Sequence, residues 1–149
     1  MLIHDLTAQQ CREELARAEL GRLACSHRNQ PYVVPLYFVF DDEDIYAFSM
    51  FGRKIEWMRQ NPLVCLEIER VVSAVDWTTV LVFGRYDELG EAGEPGGRKH
   101  AHELLQRRAM WWEPGAAAMA KRADEASSPP VFFRIRIDRI SGHRAVPGT

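Results

Sequence analysis

The sequence predicts an α+β fold, a small six-stranded antiparallel barrel with peripheral helices, and three observations lead to it. Six short runs rich in β-branched and aromatic residues are separated by polar turn signals. Helical stretches with start signals stand near the N-terminus and inside two of the connections. Two of the strands are apolar on both faces, so the barrel wall needs a cover beyond its own core.

Each element follows from local chemistry. Thr7 and Gln10 have the spacing of a capping box, in which each side chain satisfies an orphan backbone amide, and this predicts a helix from Ala8 to Glu19. A first strand, Leu20 to Ser26, turns at HRNQ into a second, Pro31 to Phe40, and DDED turns that into a third, Ile45 to Met50. A short helix from Lys54 to Gln60 stops before Asn61 and Pro62, because proline disfavours helical geometry in the residue before it. Strand four runs from Leu63 to Arg70. Strand five, Asp76 to Glu88, carries Gly84 where a barrel strand would bend. After the loop GEAGEPGG come a helix from Arg98 to Met110, the pair Trp111-Trp112, and an Ala-rich helical stretch from Ala116 to Ala123. The last strand, Val131 to Ile140, alternates Phe133, Ile135 and Ile137 with Arg134, Arg136 and Asp138, which predicts one buried and one wet face.

Composition bounds the class. At 149 residues and 46% hydrophobic content the chain reads as a single domain over residues 1–149, long enough for a real core. Nineteen Lys plus Arg against 21 Asp plus Glu, a net charge of -2, argue against nucleic acid as the main partner. The longest apolar run, Val33 to Phe40, is too short to cross a bilayer, and MLIHDLTAQQ has no basic flank before a hydrophobic run; the expectation is a cytoplasmic protein without membrane attachment. Cys11, Cys25 and Cys65 form neither a disulfide framework nor a metal pair, and no metal is expected.

Three places break the local rules. Strand two points Tyr32, Val34, Leu36, Phe38 and Phe40 one way and Val33, Tyr37 and Val39 the other; strand five does the same with Val80 and Val82 against Leu81 and Phe83. A helix, a flat ligand or a second subunit would cover the outer rows, and a chain of this length favours self-association. Pro35 interrupts strand two, as an edge strand or as a place where backbone is left free for a ligand. Gly52-Arg53-Lys54 puts two cations where the helix dipole favours negative charge. A phosphate would reverse the sign, with Ser49 adding a hydroxyl; a solvated basic helix start is the alternative. Gly97-Arg98-Lys99 is a weaker rival, because Asp87, Glu88, Glu91 and Glu94 crowd it. Adjacent tryptophans diverge on a helix, so Trp111 or Trp112 is left as a wall for a substrate ring or as packing.

The runs PYVVPLYFVF, IYAFSM, GRK, NPLVCLEI, WTTVLVFGRYDEL and FFRIRIDRISG together resemble the FMN-binding split-barrel family, the superfamily of pyridoxamine 5′-phosphate oxidase, nearest to its flavin-nucleotide-binding and nitroimidazole-resistance branch. The resemblance runs from Gly21 to Gly142. It implies a homodimer of six-stranded split barrels with FMN in the grooves between subunits. By that match Arg53 and Lys54 clamp the phosphate, Ser49 bonds a ribityl or phosphate oxygen, Val34, Pro35, Leu36 and Tyr37 run along the isoalloxazine ring, and Trp77, Thr78 and Thr79 approach the cofactor. Phe48 stands where relatives often carry histidine, so no chemistry is carried over to it and the catalytic residues stay unassigned. The basic C-terminal pattern of true pyridoxamine phosphate oxidases is not found; Arg134, Arg136, Arg139 and Arg144 read as the wet face and end of a strand, and vitamin B6 oxidation is disfavoured. The implied function is an FMN-dependent oxidoreductase passing electrons or hydride to a small flat aromatic or nitro-type acceptor. A non-catalytic carrier or sensor of flavin, deazaflavin or heme is the alternative.

Overall fold

The protein is described by a computed structural model, over residues 1–41, 43–90, 97–108 and 130–148. Its elements are β1 (Leu2–Asp5), α1 (Ala8–Arg17), β2 (Leu20–His27), β3 (Gln30–Tyr37), β4 (Val39–Phe40), β5 (Asp44–Ser49), α2 (Arg53–Gln60), β6 (Leu63–Ser73), β7 (Asp76–Glu88), α3 (Arg98–Gln106) and β8 (Val131–Val146). The class is α+β as predicted, but the antiparallel sheet has eight strands where six are expected. One extra strand comes from the N-terminus, where Leu2 to Asp5 pair with the far end of β8. The other arises because the long second strand breaks at Phe38: its first part pairs with β2 and its last two residues pair with β5.

The capping box of α1 is complete, with the Thr7 amide donating to Gln10 Oε1 at 2.8 Å and the Gln10 amide to Thr7 Oγ1 at 3.1 Å. This helix stops at Arg17, two residues short of the expected end, because Ala18 is already extended. HRNQ makes a two-residue turn with Arg28 and Asn29 at φ 50 and 64, the twist that suits a β-hairpin.

The sheet order is β3-β2-β6-β7-β8-β5-β4, which leaves β3 on an edge. In a two-residue hairpin the pair flanking the turn is hydrogen-bonded and bonded pairs then alternate, so Pro31 and Pro35 fall at positions whose amides face away from β2. The two prolines cost no ladder bond and blunt the edge against other strands.

The core lies on one face of the sheet, where Leu23, Leu66, Val82, Phe133 and Ile135 pack against Cys11 and Leu15 of α1 and Ile55 and Met58 of α2. A second cluster forms where α3 lays Ala101, Leu104 and Leu105 over Val39, Tyr46 and Phe132. The start of β8 is therefore buried on both faces, a departure from the simple alternation, since Phe132 is covered by α3. Gly84 sits at the register shift between β7 and β8, as its place in the sequence predicts. β8 itself runs six residues past its expected end, because Gly142 lets the chain pass within contact of Thr79, Leu6 and Cys11.

Two rows stay uncovered. Val33 and Tyr37 of β3, Leu63 of β6 and Phe83 of β7 are exposed on the outer side, while Val80 and Val82 are buried beneath. Among the described residues no helix is long and apolar enough to cross a membrane. Trp111, Trp112 and the Ala-rich stretch lie outside the described residues.

Candidate functional site

The site is built where α2 starts. Strand β5 ends at Ser49, a short turn passes through Phe51 and Gly52, and Arg53 opens the helix. Ile55 and Met58 anchor α2 in the core, which fixes the directions of the two residues before them. Lys54 points inward: it is half-buried near Cys25 of β2, and burial pushes its ammonium below the ordinary lysine value, with Cys25 acting in the opposite sense. Burial pushes the Cys25 thiol up, against the charge of Lys54. Arg53 points outward, its guanidinium 5.6 Å from the ring centre of Tyr32 and 5.9 Å from that of Trp57.

Among the described residues neither cation has a carboxylate partner. Glu56 shares the first turn but is exposed and pairs with neither. Two cations at a helix start are unfavourable by themselves, so the arrangement suits an anion in a way that a solvated basic turn does not. Gly52 caps the helix with no side-chain bond, and a Cβ added to it meets nothing within 4 Å among the described residues. Its φ of -177 is extended backbone that any residue adopts, so what glycine contributes is open space beside the amides of the first turn. Replacing Gly52 with valine is expected to lower the melting temperature by only a few degrees, the cost of a poor N-cap, and to weaken anion binding by about tenfold, read by ligand titration beside thermal unfolding.

Lys54 gives a pH dependence of definite sign. A bound anion favours the charged ammonium, so binding raises a pKa that burial has lowered. Affinity is then flat below the free-state pKa and falls as pH rises through it, with proton uptake on binding in that window. Calorimetry in two buffers of different ionisation enthalpy would measure the uptake, and Lys54→Arg, which keeps the charge without titrating, is expected to abolish it.

The remaining predicted residues divide. Val34 and Leu36 turn toward the core, while Pro35 and Tyr37 are exposed on the edge strand. Ser49 is buried, and its hydroxyl donates to the Met50 carbonyl at 3.0 Å. Trp77, Thr78 and Thr79 are not brought to the cations. Ala24, next to Cys25, pairs with Cys65, whereas Trp77 pairs with Val71, and six residues of strand separate those levels by about 20 Å. Thr78 is buried and accepts from Arg144 Nη1 at 2.9 Å and, more weakly, from Arg70 Nη2 at 3.5 Å. Arg144 stands near the end of β8, as its reading as a strand end expects, and is there a bonded neighbour of Thr78. Thr78 also lines a cavity of about 420 Å³ with Glu14, Leu20, Ile68 and Arg70, and Leu20 is the partner of Tyr37. Edge strand β3 therefore runs from the cations at Tyr32 toward this cavity at Tyr37.

Phe48 stacks on Phe132 with ring centres 5.8 Å apart. The rival cations Arg98 and Lys99 start α3, where Arg98 lies over Phe132 at 5.0 Å. Sequence reasoning missed Tyr32 and His27 as neighbours of the cradle, because their approach to Trp57 depends on how α2 docks on the β2–β3 hairpin. Among the described residues no group of His, Cys, Asp and Glu would hold a metal ion.

An antiparallel sheet of this order with three helices packed on it is consistent with a split-barrel fold. Residues 7–144 match the pyridoxamine 5′-phosphate oxidase family, and the chain belongs to that family. A FAD-binding protein of Mesorhizobium loti is 44% identical, with a TM-score of 0.79, over 97% of this chain and 99% of its own. An uncharacterised protein of Rhizobium meliloti is 37% identical over 99% of both chains. A nitroimidazole antibiotic resistance protein of Bacteroides thetaiotaomicron, 17% identical, shares the fold at a TM-score of 0.67 over 97% of this chain and 89% of its own.

Proposed function

We propose that the protein is a cytoplasmic, homodimeric flavin oxidoreductase that holds the 5′-phosphate of its cofactor between Arg53 and Lys54. The observation that carries this is the pair itself: two cations without carboxylate partners among the described residues, one half-buried, beside open space at Gly52. FMN is the smaller of the two flavin nucleotides and supplies both a phosphate and a flat ring. The name of the Mesorhizobium loti neighbour favours FAD as a second reading, and both share the half that the cradle would grip.

When bound, a flavin supplies hydride and electron transfer. The protein's part is to bind, orient and exclude water. Arg53 and Lys54 fix one end, the backbone edge of β3 along Val34, Pro35 and Leu36 gives the ring a wall, and no acid or base of this chain is assigned to the chemistry. A small flat aromatic or nitro-type acceptor would stack on the exposed ring face. The dimer reading rests on the uncovered outer row of Val33, Tyr37, Leu63 and Phe83, an apolar patch of the kind that marks an interface. A partner subunit would also bring Trp77, Thr78 and Thr79 to the cradle that they do not reach within one chain.

Subunit mixing tests the composite site. A variant lacking Arg53 and Lys54 and a variant carrying Trp77→Ala and Thr78→Val are each expected to bind flavin poorly, and mixing them after partial unfolding to recover part of the capacity. No recovery in verified mixed dimers would place the whole site within one chain. Reduction of the flavin-loaded protein by NADH or NADPH, with reoxidation by a nitroaromatic, tests the oxidoreductase reading; a bound flavin inert to every donor and acceptor would favour a carrier or sensor.

A further inference from the structure

Where β2 and β6 part, the sheet leaves a gap. Their pairing runs only from Arg22–Glu67 to Ala24–Cys65, so Leu20 and Glu69 are not joined, and the cavity of about 420 Å³ opens there beside the end of α1. Its floor is apolar, made by Ile68 and Val80, and Ala18 and Leu20 stand on its rim. Thr78 lies in its wall, only 2% exposed, with Arg70 and Arg144 directly opposite it on the two neighbouring strands. The Thr78 hydroxyl accepts from both guanidinium groups, from Arg144 Nη1 at 2.9 Å and more weakly from Arg70 Nη2 at 3.5 Å. A hydroxyl has two acceptor sites and one hydrogen. With both acceptor sites taken by cations the hydrogen is left over, and among the described residues it has no acceptor. A buried donor is costly to leave unpaired, so the wall is made for a ligand oxygen.

The charges around that hydroxyl decide which oxygen. Glu14 accepts from Arg17 at 2.7 Å and from Arg70 at 2.9 Å, while Asp76 stands 3.6 Å from Arg144 Nη2. The other carboxylates of the rim, Glu19 and Glu69, are paired with Arg108 and Arg22. Cationic donors are therefore in excess beside Thr78, and they favour an anionic oxygen over a neutral one. We propose that this cavity binds a small flat aromatic carboxylate, its ring on Ile68 and Val80 and one carboxylate oxygen accepting from Thr78. Arg70 and Arg144 polarise the hydroxyl and supply the countercharge. Leu20 on the rim is the partner of Tyr37, at the far end of the β3 edge proposed for the isoalloxazine ring. Resting on that flavin reading, the cavity is the seat of the acceptor beside the ring, and the acceptor carries a carboxylate.

Calorimetry on cofactor-stripped protein with benzoate, and with benzylamine as a ring of opposite charge, tests the site without flavin. Wild type is expected to bind benzoate saturably and about tenfold or more tighter than benzylamine. Thr78→Val is expected to weaken benzoate by about tenfold, and Thr78→Ser, which keeps the hydroxyl, to restore it. Ala18→Phe fills the cavity from the end of α1 without removing an ion pair, and is expected to abolish benzoate binding while flavin affinity stays within about twofold. No benzoate binding by wild type, equal affinity for the two rings, or benzoate affinity unchanged in Thr78→Val or Ala18→Phe would overturn the site. In flavin-loaded wild type, saturating benzoate is expected to shift the flavin absorption bands; bound benzoate with no shift would overturn its place beside the ring. Benzoate uptake by a protein that takes up no flavin would overturn the flavin reading and leave the carboxylate site standing.

Discussion

Replacing Arg53 and Lys54 together by alanine is expected to weaken flavin binding by a hundredfold or more, while the same change at Arg98 and Lys99 leaves it within about twofold. Each charge-assisted contact to a phosphate is worth about 1.5–3 kcal/mol, so losing two removes roughly 3–6 kcal/mol of binding. Stability is expected to move the other way or not at all. Lys54 is half-buried with its charge unmatched by any carboxylate among the described residues, and both cations oppose the dipole of α2. A double variant that is as stable as wild type and blind to flavin separates a binding role from a structural one. Equal losses at the two basic pairs would count against the start of α2 as the cradle.

The largest expected loss of stability is at Gly84. A Cβ there would lie 2.5 Å from the Arg136 carbonyl oxygen and 2.7 Å from Ile135 Cγ2. The first obstacle is backbone and the second belongs to a fully buried side chain, so neither moves aside cheaply. The clash falls where the β7–β8 register shifts, in the pairing that joins the two halves of the sheet. Gly84→Ala is expected to cost about 3 kcal/mol, a fall in melting temperature of about 10 °C for a chain of this size. Gly90→Ala, with nothing among the described residues within 4 Å of the added atom, is the control and is expected to change stability by no more than about 0.5 kcal/mol.

Much of the fold is legible in the sequence because its signals are local. The Thr7–Gln10 cap, the HRNQ turn, the stop at Pro62 and the bend at Gly84 each state their own geometry, and each stands where it was expected. What is not legible depends on pairing at a distance. Nothing in Leu2 to Asp5 marks a strand until β8 extends to Val146 and offers it a partner. The break at Phe38 is invisible in an unbroken apolar run, because it is set by which strand each half pairs with.

The site divides along the same line. Gly52-Arg53-Lys54 is readable as a conflict between charge and helix dipole, and the structure keeps that conflict unresolved by any carboxylate among the described residues. The ring cluster around Trp57 is not readable, since Trp57, Tyr32 and His27 come from three elements and meet only after α2 docks. The separation of Trp77–Thr79 from the cations is also beyond sequence reading, because it depends on how far the β6–β7 hairpin extends.

The central claim, that the cations opening α2 hold a flavin by its phosphate, is tested most directly by one equilibrium titration. Purified protein, stripped of any cofactor, is titrated with FMN and FAD while the flavin absorption bands are followed, for wild type and for the Arg53→Ala, Lys54→Ala variant side by side. The account predicts saturable binding to wild type, with band shifts showing a ring in an apolar setting, and binding to the variant weaker by a hundredfold or more. A wild-type protein that takes up neither flavin, or a variant that binds as tightly as wild type, would contradict it.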